Sequence, residues 1–317
     1  MMKLTYLAED FDLARKALAH WAHDGKTLPE RLKWFRISAS AVYPFDDAQG
    51  NLCFLRLIPA TERSATEILA ELDFLKHLQK CGYPCMRPIA AQGDLLMVPL
   101  SHREEMWYAC AFTGVPGQPL DDFPMNSMLA WAYGLALGQL HAASMNYRPM
   151  PTCRTRGSVT RWIAETLAAN DAPECVREKL DEVTQQLEEK PRNAKTCGFI
   201  HYDFEPDNVF WDGSGCHAID FGDAMLHFYA MDLVQALDEM EEEFHAHFIG
   251  GYYDGCPESG VEQADFPLMR RFRDLYSYAR LLHSLSEKPE KQPEWMPQLV
   301  NRLECRRDEL LQRICGA

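Results

Sequence analysis

Two short stretches of the sequence decide the fold: Gly198-Phe-Ile-His-Tyr-Asp-Phe-Glu-Pro-Asp-Asn-Val-Phe210 and, after a turn, Ala218-Ile-Asp-Phe-Gly-Asp223. The first contains His201, Asp203 and Asn208 in the spacing HxDxxxxN, and the second carries an apolar strand into an aspartate. Phosphoryl transfer needs a carboxylate that orients the attacking hydroxyl, and oxygen ligands that hold Mg²⁺ against a triphosphate. The two stretches supply these groups in one compact unit.

The spacing predicts a role for each polar side chain of this unit. Asp203 is predicted to be the catalytic base, whereas Asn208 and Asp220 are predicted to give a neutral and an anionic oxygen to Mg²⁺. His201 is predicted to brace the loop through hydrogen bonds. An alternative interpretation treats all of them as turn and strand-end residues. The spacing, the glycine turn at 213–215 and the following strand occur together, which favours the catalytic interpretation.

Upstream of this unit, strand-like and helical patterns alternate. Ser64 and Glu67 have capping-box spacing, which predicts a helix start, and Gly82 before Pro84 predicts its end. An earlier amphipathic helix is predicted to end near Gly25. Short segments rich in β-formers predict five strands. They lie at residues 34–38, 41–44, 53–58, 95–99 and 107–113.

The sequence changes character at Gly114-Val-Pro-Gly-Gln-Pro119, a segment with the turn chemistry of a connector. Beyond it the apolar residues recur at helical spacing, and residues from about 150 to 195 form two amphipathic patterns that indicate a helical insert. The predicted organisation is an N-terminal nucleotide-binding lobe at 1–113, a hinge at 114–119, and a catalytic and acceptor-binding lobe at 120–317.

Composition excludes several classes of function. The formal net charge of the 317 residues is -15, and no basic run offsets it, so a nucleic-acid partner is not expected. No leader and no apolar stretch of about 18 residues is visible, which predicts a cytoplasmic protein without a membrane partner. The 11 cysteines lack any CxxC pair and are predicted to be reduced thiols.

The two stretches resemble the catalytic and metal loops of the aminoglycoside phosphotransferase and choline kinase superfamily, relatives of the protein kinases. Leu140-His141, Asp232 in Met231-Asp-Leu-Val, and Phe248-Ile-Gly-Gly-Tyr252 extend the resemblance. It implies an α+β, two-lobed, protein-kinase-like fold, with a small five-stranded antiparallel N-lobe and a larger, mainly helical C-lobe. It also implies that Asp232 braces the catalytic loop together with His201.

The resemblance further implies that Arg56 on the third strand pairs with Glu71 and contacts the nucleotide phosphates, where protein kinases use lysine. The alternative is a surface ion pair between these two residues. The co-substrate is expected to be ATP, with GTP left open, and the metal Mg²⁺. Asp223 is expected to support the metal ligands without binding the metal itself.

The segment expected to cover the nucleotide, Ser38-Ala-Ser-Ala-Val42, contains no glycine. Backbone amides approach phosphates most easily at glycine, so Ser38 and Ser40 are expected to donate from their side chains instead. Phe112 and Gly114 are expected to lie beside the nucleotide at the hinge.

An acidic run from Asp238 to Glu243 follows the catalytic unit and is expected on a helix near the acceptor side. Two interpretations of it stay open. The run is either a solvated face, or an anionic wall in which Asp238, Glu239 and Glu242 attract a cationic small-molecule acceptor.

The predicted reaction is transfer of the ATP γ-phosphate to a hydroxyl of a small, amine-containing acceptor. Two alternatives remain. A protein serine/threonine kinase is disfavoured because Glu205 stands where such kinases carry lysine, and because no APE sequence follows Asp220. A nucleotide-binding scaffold without catalysis is favoured only by the glycine-free loop. The acceptor's identity and the oligomeric state are not decided by the sequence.

Overall fold

Residues 2–6, 11–26, 36–37, 40–289 and 292–316 are described by a computed structural model. Within these residues six antiparallel strands form the N-terminal sheet, in the order β1-β2-β3-β6-β4, with β5 also paired to β6. The strands are β1 (Arg36–Ile37), β2 (Ala41–Asp46), β3 (Leu52–Pro59), β4 (Pro88–Ile89), β5 (Val98–His102) and β6 (Glu105–Thr113).

Five of these strands were predicted, and the sixth is the two-residue β4, which is too short to produce an alternating pattern. Of the first predicted strand, residues 34, 35 and 38 lie outside the described part of the chain. The hairpin between β2 and β3 turns at Asp47, whose carboxylate accepts hydrogen bonds from the amides of Gln49 and Asn51. In the centre of the sheet, Arg56 on β3 lies opposite Val42 and Cys110.

Among the described residues of this lobe two α-helices accompany the sheet, α1 (Phe11–Leu18) and α2 (Ala65–Lys80). The predicted capping box at the start of α2 is present, because Ser64 accepts from the amide of Glu67 and the Glu67 side chain accepts from the amide of Ser64. Phe74 of α2 packs against Phe199 of the C-terminal lobe, with ring centroids 4.7 Å apart. The helix is therefore anchored to both lobes.

The C-terminal lobe is mainly helical. Its helices are α3 (Ser127–Met145), α4 (Arg156–Ala169), α5 (Glu174–Glu189), α6 (Ala230–Asp238), α7 (Glu242–Gly255), α8 (Phe266–Leu285) and α9 (Met296–Cys315). The predicted insert contains α4 and α5. Two small sheets hold the catalytic unit. They consist of β10 (Cys216–Ala218), β9 (Val209–Trp211) and β7 (Gln118–Pro119), and of β11 (Met225–Phe228) and β8 (Cys197–Ile200).

Helices α3 and α7 approach each other through glycine. A Cβ atom added at any of four positions would overlap the backbone of the facing helix. These positions are Gly134 and Gly138 on α3 and Gly251 and Gly255 on α7. The two backbones are therefore packed at a distance that only glycine allows.

The prediction that all cysteines are reduced is wrong for one pair. Cys175 at the start of α5 and Cys315 at the end of α9 form a disulfide, with Cα atoms 5.7 Å apart. The two residues are separated by 140 positions, so no local spacing could report the bond. The other nine cysteines are free. No helix in the described ranges is both long and apolar enough to span a membrane.

Candidate active site

The catalytic loop follows β8 and is held by His201. The Nε2 atom of this histidine donates to the carbonyl of Ile219 at 2.8 Å, and Nδ1 accepts from the amide of Asp203 at 3.2 Å. Burial lowers the pKa of His201, which keeps the ring neutral so that one nitrogen can donate while the other accepts. His201 thus ties the loop that carries Asp203 to the strand that precedes Asp220.

Asp232 holds the same loop from α6. Its two carboxylate oxygens accept from the amides of His201 at 2.9 Å and Tyr202 at 2.8 Å, and His141 on α3 contacts it at 3.1 Å. Tyr202 has a φ of 67°, a left-handed backbone conformation that residues other than glycine rarely adopt. A fully buried carboxylate thus holds the backbone next to Asp203 in a strained conformation.

Asp203 and Asn208 lie side by side. The Nδ2 atom of Asn208 donates to the backbone carbonyl of Asp203 at 3.0 Å and to its Oδ2 at 3.1 Å. This orientation leaves the Oδ1 atom of Asn208 for another partner. Burial raises the pKa of Asp203 well above its usual range, and the negative charge of Asp223 adds to the shift.

Asp220 completes this group at the end of the short strand β10. The amide of Ile219 donates to the carbonyl of Asn208 at 2.9 Å, which brings the two predicted metal ligands together. The side chain of Asp220 is 37% exposed, and its Oδ1 lies 3.8 Å from Nη1 of Arg56. In the described parts of the chain no three His, Cys, Asp or Glu residues cluster as a metal site. Asn208 and Asp220 fit Mg²⁺, which takes few protein oxygens and completes its shell with phosphate and water.

Arg56 and Glu71 form a buried pair, so the alternative of a surface ion pair is wrong. Nη2 of Arg56 donates to Oε1 of Glu71 at 2.7 Å, and the side chains are 4% and 1% exposed. A second arginine that the sequence analysis missed, Arg63, donates to Oε2 of Glu71 at 2.8 Å. Although burial opposes the shift, both arginines lower the pKa of Glu71. The sequence did carry a signal for this contact, because Arg63 precedes Glu71 by about two helical turns and so can lie on the same face of the helix.

The predicted nucleotide side lies next to this pair. The guanidinium carbon of Arg56 lies 4.8 Å from the ring centroid of Phe112, which is itself buried. The amide of Gly114 donates to the carbonyl of Leu52 at 2.9 Å, which fixes the start of the hinge against β3. Ser40 is buried, whereas Ser38 lies outside the described residues.

Asp223 is bound by two arginines from the C-terminal lobe. Nη1 of Arg154 donates to Oδ1 at 2.9 Å, and Nη1 of Arg280 lies 2.9 Å from Oδ2. Although burial opposes the shift, Arg280 and Arg154 lower the pKa of Asp223 below its usual range. Both carboxylate oxygens are engaged by arginine, and the role of Asp223 as a support of the metal ligands stays a prediction.

The acidic run was expected on one helix, but it spans the end of α6 and the start of α7. Asp238 is the last residue of α6 and Glu242 is the first residue of α7. Asp238 is bound by Arg270 at 2.6 Å and by Arg273 at 2.7 Å, so its charge is already neutralised. Burial raises the pKa of Glu205, and the charge of Glu239 raises it further. Of the run, Glu239 is thus a carboxylate whose charge acts on Glu205 of the catalytic loop.

Comparison with known proteins identifies the family. Residues 35–264 match the model of the APH phosphotransferase enzyme family, which is well over half of the chain. The chain belongs to this family. The predictions of a protein-kinase-like fold and of a phosphotransferase that acts on a small-molecule hydroxyl are thereby confirmed, whereas the roles of single residues remain predictions.

Two curated relatives and one solved structure illustrate the similarity. The chain is 23% identical over 252 residues to amicoumacin kinase of Bacillus subtilis, covering 73% of this chain and 74% of the relative. It is 31% identical over 215 residues to homoserine kinase of Rhodospirillum rubrum, covering 63% and 64%. The amicoumacin kinase hAmiN, in complex with AMP-PNP, Ca²⁺ and Ami, superposes with a TM-score of 0.73 at 19% identity, covering 96% and 94%.

Proposed function

We propose that this family member transfers the γ-phosphate of ATP, with Mg²⁺, to a hydroxyl of a small acceptor that carries an amine. The observation that supports this most directly is the convergence of Asp203, Asn208 and Asp220 next to the buried cation Arg56. The related structure with AMP-PNP and Ca²⁺ is in keeping with a nucleotide and a divalent metal. The names of the curated relatives, amicoumacin kinase and homoserine kinase, are in keeping with a small acceptor.

Asp203 is the proposed catalytic base. Its carboxylate would orient the acceptor hydroxyl and accept its proton as the bond to phosphorus forms. The raised pKa of Asp203 strengthens it as a proton acceptor. Asn208 keeps the carboxylate in place through its Nδ2 donor, and the contacts of His201 and Asp232 keep the backbone of the loop in place.

Mg²⁺ would be held by Oδ1 of Asn208 and by the half-exposed carboxylate of Asp220. When bound, the metal supplies charge neutralisation on the phosphates. Arg56 lies 3.8 Å from Asp220 and is fixed by Glu71, so it is placed to contact the same phosphates. The proposed nucleotide site lies between a lobe at 1–113 and a lobe at 120–317, beside the hinge at 114–119, with Ser40, Phe112 and Gly114 around it.

An amine on the acceptor is proposed because Glu205 and Glu239 place negative charge beside the catalytic loop. A cytoplasmic location remains part of this proposal. The Cys175–Cys315 disulfide argues for an oxidising environment, since such bonds are uncommon in cytosolic proteins. Cell fractionation with a thiol-trapping reagent would decide between the two.

The test is turnover of ATP with Mg²⁺ across a panel of amino alcohols, amino sugars, hydroxy amino acids and serine-containing peptides. We expect phosphorylation of at least one small amine-bearing alcohol and none of the peptides. Asp203→Asn should lower kcat by about 10²- to 10⁴-fold, while Asp207→Asn, the same change on an exposed residue of the loop, should not. Phosphorylation of peptides alone would favour the protein-kinase alternative. Nucleotide binding without any turnover would favour the scaffold.

A further inference from the structure

The segment at residues 2–6 contacts both lobes of the protein. The amide of Lys3 donates to Oε1 of Glu62 at 3.2 Å, in the connection between β3 and α2. On the other side, the hydroxyl of Ser284 on α8 donates to the carbonyl of Met2 at 2.9 Å, and this contact is buried. Residues 2–6 therefore bridge the N-terminal lobe to the last turns of α8, and we call them the strap.

Glu62 is the residue at which the strap and the two lobes meet. While Oε1 accepts from the amide of Lys3, Oε2 lies 2.8 Å from Nε2 of His283 on α8. The Glu62 side chain is 8% exposed. Next to it, the hydroxyls of Thr61 and Tyr6 lie 2.9 Å apart. One nearly buried carboxylate thus joins the strap, the connection between β3 and α2, and α8.

The strap is also held by apolar side chains. Met2 is 1% exposed and Leu4 is fully buried, and both belong to the apolar core that includes Ile68 of α2. The ion pair of Lys3 with Glu287, at 2.9 Å, is solvated on both sides and contributes little. A short segment held by two apolar side chains and a few hydrogen bonds can open locally while the rest of the protein stays folded.

The strap and the hinge lie at opposite ends of β3. The amide of Gly114 in the hinge is bound to Leu52, the first residue of this strand, whereas Glu62 follows its last residue, Pro59. Eight residues of β-strand span roughly 25 Å. Two lobes that are joined at a hinge open by rotation about it. A second connection at the far end of the strand blocks this rotation until it releases.

A cavity of about 300 Å³ lies behind the strap. Its lining includes Met2 of the strap, the strap's partners Glu62 and His283, and Asp223, which follows the proposed metal ligand Asp220 by three residues. Its other lining residues come from α4, α8 and the segment before α2. The strap therefore forms one wall of a cavity that reaches the metal loop, and release of the strap opens that wall.

The segment that the strap holds also leads to the nucleotide side. Glu62 is followed by Arg63, which donates to Glu71 at 2.8 Å, and by Ser64, which caps α2. Glu71 in turn fixes Arg56. The closed strap thus supports the cavity wall and the helix that positions Arg56 at the same time.

We propose that the strap at residues 2–6 is a gate, which is closed during phosphoryl transfer and releases to admit the acceptor to the cavity behind it. The contacts of the strap are independent of the reaction, whereas its effect on turnover rests on the proposed kinase function. A closed gate keeps bulk water away from the reacting groups. A strap that is locked shut should exclude the acceptor but not the nucleotide, which lies on the hinge side.

A zero-length cross-link tests the locked state. A carbodiimide joins an amine and a carboxylate in contact into an amide, and Nζ of Lys3 lies 2.9 Å from Oε2 of Glu287. Lys3→Met, treated in the same way, controls for carboxylates modified elsewhere. We expect peptide mass spectrometry to find the cross-link in the parent. Relative to treated Lys3→Met, turnover of an amino alcohol by the parent should fall in proportion to the cross-linked fraction, while Mg²⁺-ATP binding stays unchanged.

The cross-linking experiment has two outcomes that overturn the proposal. Parental turnover in a sample in which most molecules are cross-linked would show that the strap does not need to release. A parent without the cross-link between Lys3 and Glu287 would show that the strap does not lie against α8.

Hydrogen exchange tests the release of the strap without any turnover. Ser284→Ala removes the hydrogen bond to Met2, and Glu62→Ala removes the shared carboxylate. In a peptide that contains residues 3–6, exchange should be faster than in the parent by about 3- to 10-fold and by at least about 10-fold respectively. Ser286→Ala is the matched control, because this exposed hydroxyl donates to a carbonyl of its own helix. Equal exchange rates in the parent and in both variants would overturn the proposal.

The two proposals fail in different ways. A parent that neither binds Mg²⁺-ATP nor phosphorylates any acceptor refutes the kinase function, and the strap is then judged by exchange, which should be slower in the cross-linked protein than in the untreated one. A cross-linked protein that exchanges residues 3–6 as fast as the untreated parent refutes the gate. Turnover by the untreated parent would leave the kinase function intact in that case.

Discussion

Removal of both arginines that hold Glu71 should turn this carboxylate from a stabilising group into a destabilising one. Glu71 is 1% exposed and accepts one hydrogen bond from Arg56 and one from Arg63, at 2.7 and 2.8 Å. Arg56→Ala or Arg63→Ala alone leaves the other pair intact. Each single change should therefore lower the free energy of unfolding by about 1.5–3 kcal/mol, the contribution of a hydrogen bond to a charged group.

The double variant should be less stable than the two single changes added together. With neither arginine present, a carboxylate stays buried without a partner, a condition that costs about 3–5 kcal/mol on its own. Residues of one network couple by about 0.5–3 kcal/mol, and here the coupling is expected at about 1–3 kcal/mol because Glu71 is shared. Urea unfolding followed by tryptophan fluorescence gives the free energy of unfolding of the parent, the two single variants and the double variant. Arg87→Ala, at an exposed position of the same lobe, is the control.

The pH dependence of the free energy of unfolding tests the same reasoning independently. In the parent the pKa of Glu71 is lowered, so its stabilising contribution is present above about 4.5 and is lost as the pH falls through the folded-state pKa. In the double variant only burial acts, so the folded-state pKa should lie above 4.5 and the penalty should shrink as the pH falls. The stability gap to the parent should therefore narrow between pH 7.5 and pH 5.0. The reasoning that the two arginines share one carboxylate would be refuted by either of two results. One is that the free-energy changes of the two single variants add up to that of the double variant, and the other is that the stability difference between the parent and the double variant does not depend on pH.

Three further outcomes are expected. Asp220→Asn should raise the Mg²⁺ concentration needed for half-maximal turnover and be partly rescued by excess Mg²⁺, whereas Asp203→Asn should not be rescued. Cys315→Ser should lower the unfolding free energy by about 2–4 kcal/mol, and a reductant should bring the parent to the same value. Burial lowers the pKa of His227 to about 3, so the unfolded chain binds a proton that the folded one does not as the pH falls below about 6.5. Between pH 7.5 and pH 5.0, the free energy of unfolding of His227→Asn should therefore fall by about 2 kcal/mol less than that of the parent, as measured by urea unfolding.

The catalytic loop could be predicted because its information is local. Asp203 and Asn208 are five residues apart, and the strand that delivers Asp220 follows directly, so spacing and residue type alone place them together. The capping box at Ser64 and Glu67 was likewise predictable, because both partners lie within one turn.

Contacts between distant segments were missed for the opposite reason. The cluster around Asp223 joins the metal loop to Arg154 before α4 and Arg280 on α8, over sequence distances at which no pattern recurs. The Cys175–Cys315 bond is a similar case. Such contacts depend on how helices pack across the lobe, and composition does not encode that packing.

The glycine contact between α3 and α7 has a consequence for how the family can diversify. Any side chain at Gly251 would push α7 away from α3, and α3 carries His141, which contacts Asp232 beneath the catalytic loop. Substitutions there would disturb catalysis for every acceptor at once, so selection should purge them. Helices α4 and α8 pack without such a contact, since a Cβ at Gly157 of α4 would meet only the Thr155 hydroxyl, at 3.9 Å, and α8 contains no glycine. Outside the residues that bind Asp223, a descendant lineage can therefore alter those two helices without separating the backbones that hold His141 beneath the loop.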